Sequence, residues 1–131
     1  MSGYAPLDRR RAGVLLHPSS LPGGDLGDDA SRFIDFLSDT GFTVWQCLPL
    51  GPTHDDGSPY HALSAHAGNP DLISRARLRS WGWVESGSGG SLADVLVAAR
   101  TRAMAEPAAR REYEAYVQNE SAWLDGYALF V

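Results

Sequence analysis

The chain has 131 residues, 44% of them hydrophobic, and a formal net charge of −5 at pH 7. That length holds one small domain or part of a larger one, and the apolar content argues against wholesale disorder. All eleven basic residues are arginines and no basic run exceeds Arg9-Arg10-Arg11, which argues against a dedicated nucleic-acid binder with its basic face.

Gly13 to Leu16 is a short apolar run ending at His17-Pro18 and reads as a fully buried strand. Ser19 to Gly27 carries glycines, a proline and a serine pair, the composition of a loop. Asp28 or Asp29 is then placed to cap a helix. Ala30, Phe33, Ile34 and Leu37 repeat at helical spacing, and Gly41 stands where a left-handed residue closes a helix. Phe42 to Leu50 is a second apolar, aromatic and β-branched run that Pro49 should end. Strand, helix, glycine turn and strand over residues 12–53 predict a βαβ unit with parallel strands. Cys47, the only cysteine, lies inside that second run and is expected to be a small buried hydrophobe. A single cysteine excludes an intrachain disulfide and gives no sign of an oxidising compartment. No N-terminal apolar region or span-length stretch is present, so a cytoplasmic protein with no membrane partner is expected.

Residues 54–85 open as a long polar loop, rich in Gly, Pro, Asp, His and Ser as far as Pro70. Loops of that length inside a compact domain are usually functional or disordered. Ser86 to Gly90 reads as a flexible spacer. Helices fill 91–131: Ser91 with Asp94 resembles a capping box, Leu92, Val95, Leu96 and Ala99 supply one apolar face, and Pro107 suits a first helical position. Tyr113, Tyr116, Val117, Trp123, Leu124, Tyr127 and Phe130 then mark a long last helix. It ends on the apolar Tyr127-Ala128-Leu129-Phe130-Val131, which predicts a truncated chain, because domains commonly end in polar, poorly ordered residues.

Loops leaving the carboxyl ends of parallel strands carry function in α/β folds. Here they are His17-Pro18-Ser19-Ser20 and Gly51 to Pro70, predicted to open onto one face. The second mixes Tyr60 with His54, His61, His66, Asp55, Asp56, Ser58 and Asn69, a set suited to sugar hydroxyls and C–H faces. Residue types alone favour the plainer reading of solvated loop polars. Asp55-Asp56 is a poor acid/base pair, because glycoside chemistry sets two carboxyls across a bond, roughly 5–9 Å apart. His61 and His66 lack the spacing of a zinc site, no nucleophile elbow surrounds Ser58 or Ser64, and the glycines at 87–90 match no phosphate loop. Trp81 and Trp83 read as a satellite hydrophobic cluster before a glycan platform.

Several strings are more particular. Gly13-Val14-Leu15-Leu16-His17-Pro18-Ser19-Ser20-Leu21-Pro22-Gly23, then Asp25-Leu26-Gly27 and the helix through Phe33, resembles the opening of the 4-α-glucanotransferase (amylomaltase) barrel. Trp45 to Thr53, Ser58-Pro59-Tyr60, Ser64-Ala65-His66-Ala67-Gly68-Asn69-Pro70 and Trp123 to Phe130 are similar to later landmarks of that family, in the same order. The resemblance implies that all 131 residues are the N-terminal portion of one (β/α)₈ TIM barrel: its first βαβ unit plus an inserted helical subdomain, truncated. It also implies a retaining transferase that moves an α-1,4-glucan segment to the 4-hydroxyl of glucose or another glucan, without cofactor or metal. The aspartate nucleophile and glutamate acid/base would come from beyond Val131, leaving no catalytic residue here. Ser58 and Tyr60 match donor-site positions, and His17 and Asn69 lie in matching motifs as further substrate-binding residues. Two departures stand out: a shortened stretch between Pro22 and Asp25, and His66 where the family carries phenylalanine. Three readings follow: an enzyme represented by its N-terminal portion and inactive alone; a non-catalytic glycan-binding module; or a barrel piece that complements a separately encoded remainder.

Overall fold

The computed structural model describes residues 10–85 and 89–131. Gly13–Leu15 forms β1 and Val44–Gln46 forms β2, paired in parallel with Gly13 opposite Val44 and Leu15 opposite Gln46. One further bond extends each end, Thr43 N–H to Ala12 C=O at 3.0 Å and Leu16 N–H to Gln46 C=O at 3.0 Å. The ladder is therefore shorter than the apolar run Phe42–Leu50. Past Leu16 the first strand's partner groups turn away into a 3₁₀ turn at Pro18–Ser20, so Cys47 to Leu50 does not continue the ladder with β1. Gly13 is required by close approach, since a Cβ there would lie 2.9 Å from the Val44 Cβ.

β1 is not fully buried, contrary to the reading of its apolar run. Val14 is half-buried, while Leu15 is 58% exposed. Register explains the difference. Val14 and Trp45 are register partners and so share a face, and Trp45 meets Phe33 of the following helix edge-on at 5.1 Å. Leu15 points to the opposite face, which no layer covers among the described residues. Cys47 is likewise only half-buried, yet desolvation pushes its thiol pKa up, so it is a protonated packing group at neutral pH.

Helix α1 is Asp28–Asp39. Its cap is Gly27 and not an aspartate, because a Cβ at this buried position would lie 2.4 Å from Ser74 Oγ. Asp25 serves from outside, its Oδ1 accepting the Gly27 N–H at 2.8 Å. Asp28 and Asp29 instead occupy the first turn, where carboxylates complement the helix dipole. Gly41 closes the helix in the left-handed region at φ +80°, as expected, and Phe42 N–H returns to Leu37 C=O at 2.9 Å. Ala30 and Leu37 are buried, whereas Ile34 is exposed.

The sequence pattern gave no sign of α2, Arg75–Ser80, which follows a second 3₁₀ turn at Pro70–Leu72. Arg77 ties α2 to α1 through Asp28 Oδ1 at 3.2 Å and Ser31 Oγ at 2.6 Å. The spacer reading falls partly on residues 86–88, which lie outside the described residues. Helix α3 spans Leu92–Ala103, and its apolar face, with Val95 and Ala99 buried and Leu96 partly so, packs with Leu78, Val84 and Trp83 into a core cluster. Trp83 thus joins a hydrophobic cluster as expected, while Trp81 stands 55% exposed against its edge. Helix α4, Pro107–Phe130, starts at the expected proline and buries none of its residues. No described helix is long and apolar enough to cross a membrane.

The capping box of α3 is present in full: Ser91 Oγ accepts the Asp94 N–H at 3.2 Å and Asp94 Oδ2 accepts the Ser91 N–H at 3.1 Å. Replacing Ser91 by Ala should lower stability by about 1 kcal/mol. Urea denaturation followed by circular dichroism measures this, and an unchanged midpoint would show that the cap contributes nothing.

Candidate functional site

The loop between β2 and α2 is built, not slack. Its two arms run side by side: Leu63 N–H donates to Pro52 C=O at 2.7 Å, Asn69 N–H to Leu50 C=O at 2.8 Å, and Thr53 bridges Ala62 in antiparallel sense. Gly51 permits the closest approach, since a Cβ there would sit 2.7 Å from Ser64 C=O. On the returning arm Ser64 Oγ accepts the N–H groups of His66 at 3.1 Å and Ala67 at 3.0 Å, a serine turn that sets the His66 side chain outward. The tip between Thr53 and Ala62 is held by Asp56, which accepts the Ser58 N–H at 3.0 Å and pairs with His61 Nδ1 at 3.4 Å. The His54 ring lies against that of His61, tilted by 34° with centroids 4.2 Å apart.

These bonds decide what Asp56 can do. Hydrogen bonds from the Ser58 N–H and from His61, with the charges of His61 and His54, hold its carboxyl below the usual aspartate range. A general acid needs the opposite shift. Asp56 therefore organises the loop tip. A carboxyl lowered in the folded state contributes stability above its unfolded value, and that contribution is lost as pH falls through the folded value. The Ser58 amide resonance should accordingly move toward its random-coil position as pH drops below about 3.8. In Asp56→Asn the same resonance should stay constant over that range. A wild-type resonance that does not move would dismiss the pairing.

Both strand-end loops do open onto one face. A cleft of about 180 Å³ is lined by His17 and Ser19 after β1, by Pro49, Gly51 and Thr53 after β2, by Gly57 and Pro59 of the tip, and by Asn69, Asp71 and Leu72. His17 is fixed by Ser19 Oγ at 2.7 Å from its Nδ1. Asn69 Oδ1 accepts the Asp71 N–H at 2.9 Å, which leaves the Asn69 amide N–H groups for a ligand. Of the four residues expected to bind substrate, the structure brings His17 and Asn69 into this cleft. Ser58 and Tyr60 flank Pro59 at its rim: Ser58 is half-buried and Tyr60 is 77% exposed, an open aromatic face beside the cleft.

Asp71 was missed by the sequence reading. Its signal was there, because Asn69-Pro70-Asp71 is an asparagine cap with proline at the first position and an acid in the first turn, which fixes where the carboxylate goes. It is the cleft's one carboxylate among the described residues. A larger groove of about 520 Å³, between Leu26, Leu72, Ile73, Arg77 and Trp81, is mostly aliphatic and lacks such a polar set.

The family model described as 4-alpha-glucanotransferase matches residues 15–131. The chain belongs to the 4-alpha-glucanotransferase family. It is 42% identical to the 4-alpha-glucanotransferase of Synechocystis over 95% of this chain and 29% of that protein. With the Thermus thermophilus 4-alpha-glucanotransferase it shares 40% identity over 93% of this chain and 28% of the relative. Among solved structures it resembles the amylomaltase from Streptococcus agalactiae in complex with acarbose. That match has a TM-score of 0.74 and 32% identity, covering 86% of this chain and 27% of that one. The chain thus spans less than a third of the length of these family members. The Synechocystis alignment runs over 152 residues, more than the chain contains, so that relative carries residues within the shared span that this chain lacks.

Proposed function

We propose that this chain supplies one wall of the donor site of a 4-α-glucanotransferase, a retaining enzyme built on a (β/α)₈ barrel that passes an α-1,4-glucan segment to the 4-hydroxyl of glucose or another glucan. The observation that carries the reading is the convergence of the two strand-end loops, in a chain of this family, on one cleft with an exposed tyrosine at its rim. Tyr60 offers a flat face for a sugar ring, and Ser58, His17 and Asn69 offer hydrogen bonds to its hydroxyls. The chain binds and orients; it does not cleave. Retaining chemistry places two carboxyl groups about 5 Å apart across the scissile bond, and the described cleft holds Asp71 alone.

A chimera tests this directly. The chain replaces the matching segment of the Synechocystis 4-alpha-glucanotransferase, and the product is incubated with maltotriose. Glucose and longer maltodextrins are expected, and Tyr60→Ala should reduce kcat/KM about tenfold, the scale of one lost sugar-stacking contact. A folded chimera that turns over maltotriose equally well with and without Tyr60 would remove Tyr60 from the donor site. The 131-residue chain alone should release no glucose. Release of glucose by that chain would overturn the assignment of cleavage to other residues.

A further inference from the structure

Helix α4 buries no residue, yet it is anchored at two points. Near its start Tyr113 lies under Arg100 of α3, with the guanidinium carbon 5.4 Å from the ring centroid. Toward its end Trp123 stacks on His66, the rings 23° from parallel with centroids 5.5 Å apart. The indole is locked from its own helix, because Trp123 Nε1 donates to Glu120 Oε2 at 2.6 Å. The main chain that carries His66 is held by the Ser64 turn. An oriented indole and an imidazole carried on a fixed stretch of main chain, from distant parts of the sequence, therefore meet face to face.

We propose that His66 and Trp123 are a positioning pair through which α4 braces the returning arm of the β2–α2 loop and thereby holds the cleft's Asn69 and the Tyr60 tip. The path is short and continuous. His66 shares the Ser64 turn with Ala67, Asn69 bonds back to Leu50, and Leu63 bonds back to Pro52. Movement at His66 is resisted by the stack, and without it the returning arm is held by the Ser64 turn and its main-chain bonds. The link to glucan binding rests on the function proposed above; the mechanical link does not.

Hydrogen exchange on the whole 131-residue chain separates the two. The wild type is compared with His66→Ala, Trp123→Ala and His66→Phe, and the amides of Leu63 and Asn69 are followed against those of α1. An aromatic pair of this kind corresponds to about a two- to tenfold change in local opening. Both Ala variants should therefore exchange faster at Leu63 and Asn69 by that factor, with α1 unchanged, while His66→Phe keeps wild-type rates because the flat stack is retained. Acceleration confined to α4, acceleration of α1 to the same extent, or a Phe variant as fast as Ala would each overturn the proposal. Maltotriose affinity, read by isotope-edited NMR, should weaken in His66→Ala and recover in His66→Phe. A wild type that binds no maltotriose would count against the glucan reading, and the exchange rates would still decide on the brace.

Discussion

Leu78→Ala should cost about 2–5 kcal/mol, the range for truncating a buried leucine. Leu78 is 5% exposed and sits in the cluster formed with Val84, Val95 and Ala99, where α2, the following turn and α3 meet. All three of these neighbours are small or β-branched, and a helix as short as α2 holds its place through this one buried side chain. Shortening Leu78 removes the apolar surface it buries and leaves a hole that Val95 and Ala99 are too stiff and too small to fill. Urea denaturation followed through tryptophan emission, to which Trp83 contributes by packing on the cluster and donating to Glu106 at 2.9 Å, reports the loss. A midpoint shift equivalent to less than about 1 kcal/mol would mean that α2 is not docked as described. The effect should stay within this helical part. Arg77 links α2 to α1 only by one exposed ion pair and one hydrogen bond to Ser31, contacts individually worth about 1 kcal/mol or less.

The reason α2 escaped the sequence reading lies in the same residues. Arg75, Arg77 and Arg79 alternate with Ala76, Leu78 and Ser80, and one leucine among six residues makes no helical period. The helix exists because Leu78 finds a core elsewhere, a tertiary fact that local pattern does not carry. α1 was legible for the opposite reason: four apolar residues at helical spacing and a glycine at the exit state both its face and its end. The α3 cap was legible because a capping box is written in two side chains three residues apart. Strand length was not. Phe42 to Leu50 is apolar apart from Thr43 and Gln46, and only the three residues opposite β1 find a ladder. At the site, the sequence placed the strand-end loops on one face and named His17 and Asn69, which the cleft contains. It put Tyr60 among solvated polars or sugar contacts, and the structure leaves that aromatic face open. The paired arms of the loop were invisible because main-chain bonds such as Leu63 to Pro52 need no particular side chain. The His66–Trp123 stack joins residues from two elements that no local periodicity relates.

Gly51→Ala should dismantle that paired base. The added Cβ would sit 2.7 Å from the Ser64 carbonyl oxygen and 3.1 Å from the Ala62 Cβ. Neither obstacle is the movable end of a side chain, so the arms themselves must separate. Separation stretches the bonds from Leu63 N–H to Pro52 and from Asn69 N–H to Leu50, and the Thr53–Ala62 bridge lies just beyond the first of them, toward the tip. Overpacking of this kind costs about 1–3 kcal/mol. Unlike Leu78→Ala, the change falls on the cleft: Gly51, Thr53 and Asn69 all line it, so arms that part widen it. Hydrogen exchange at Leu63 and Asn69 should rise by at least fivefold, with the α3 amides unaltered, and maltotriose binding should weaken in parallel. Wild-type exchange at both amides in Gly51→Ala would show that the arms tolerate the methyl, and that the loop's shape is set from the Asp56 tip instead. The two substitutions therefore divide the molecule along its own joints. One loosens the helices that flank the loop without touching the cleft, and the other opens the cleft while the helical core keeps its packing.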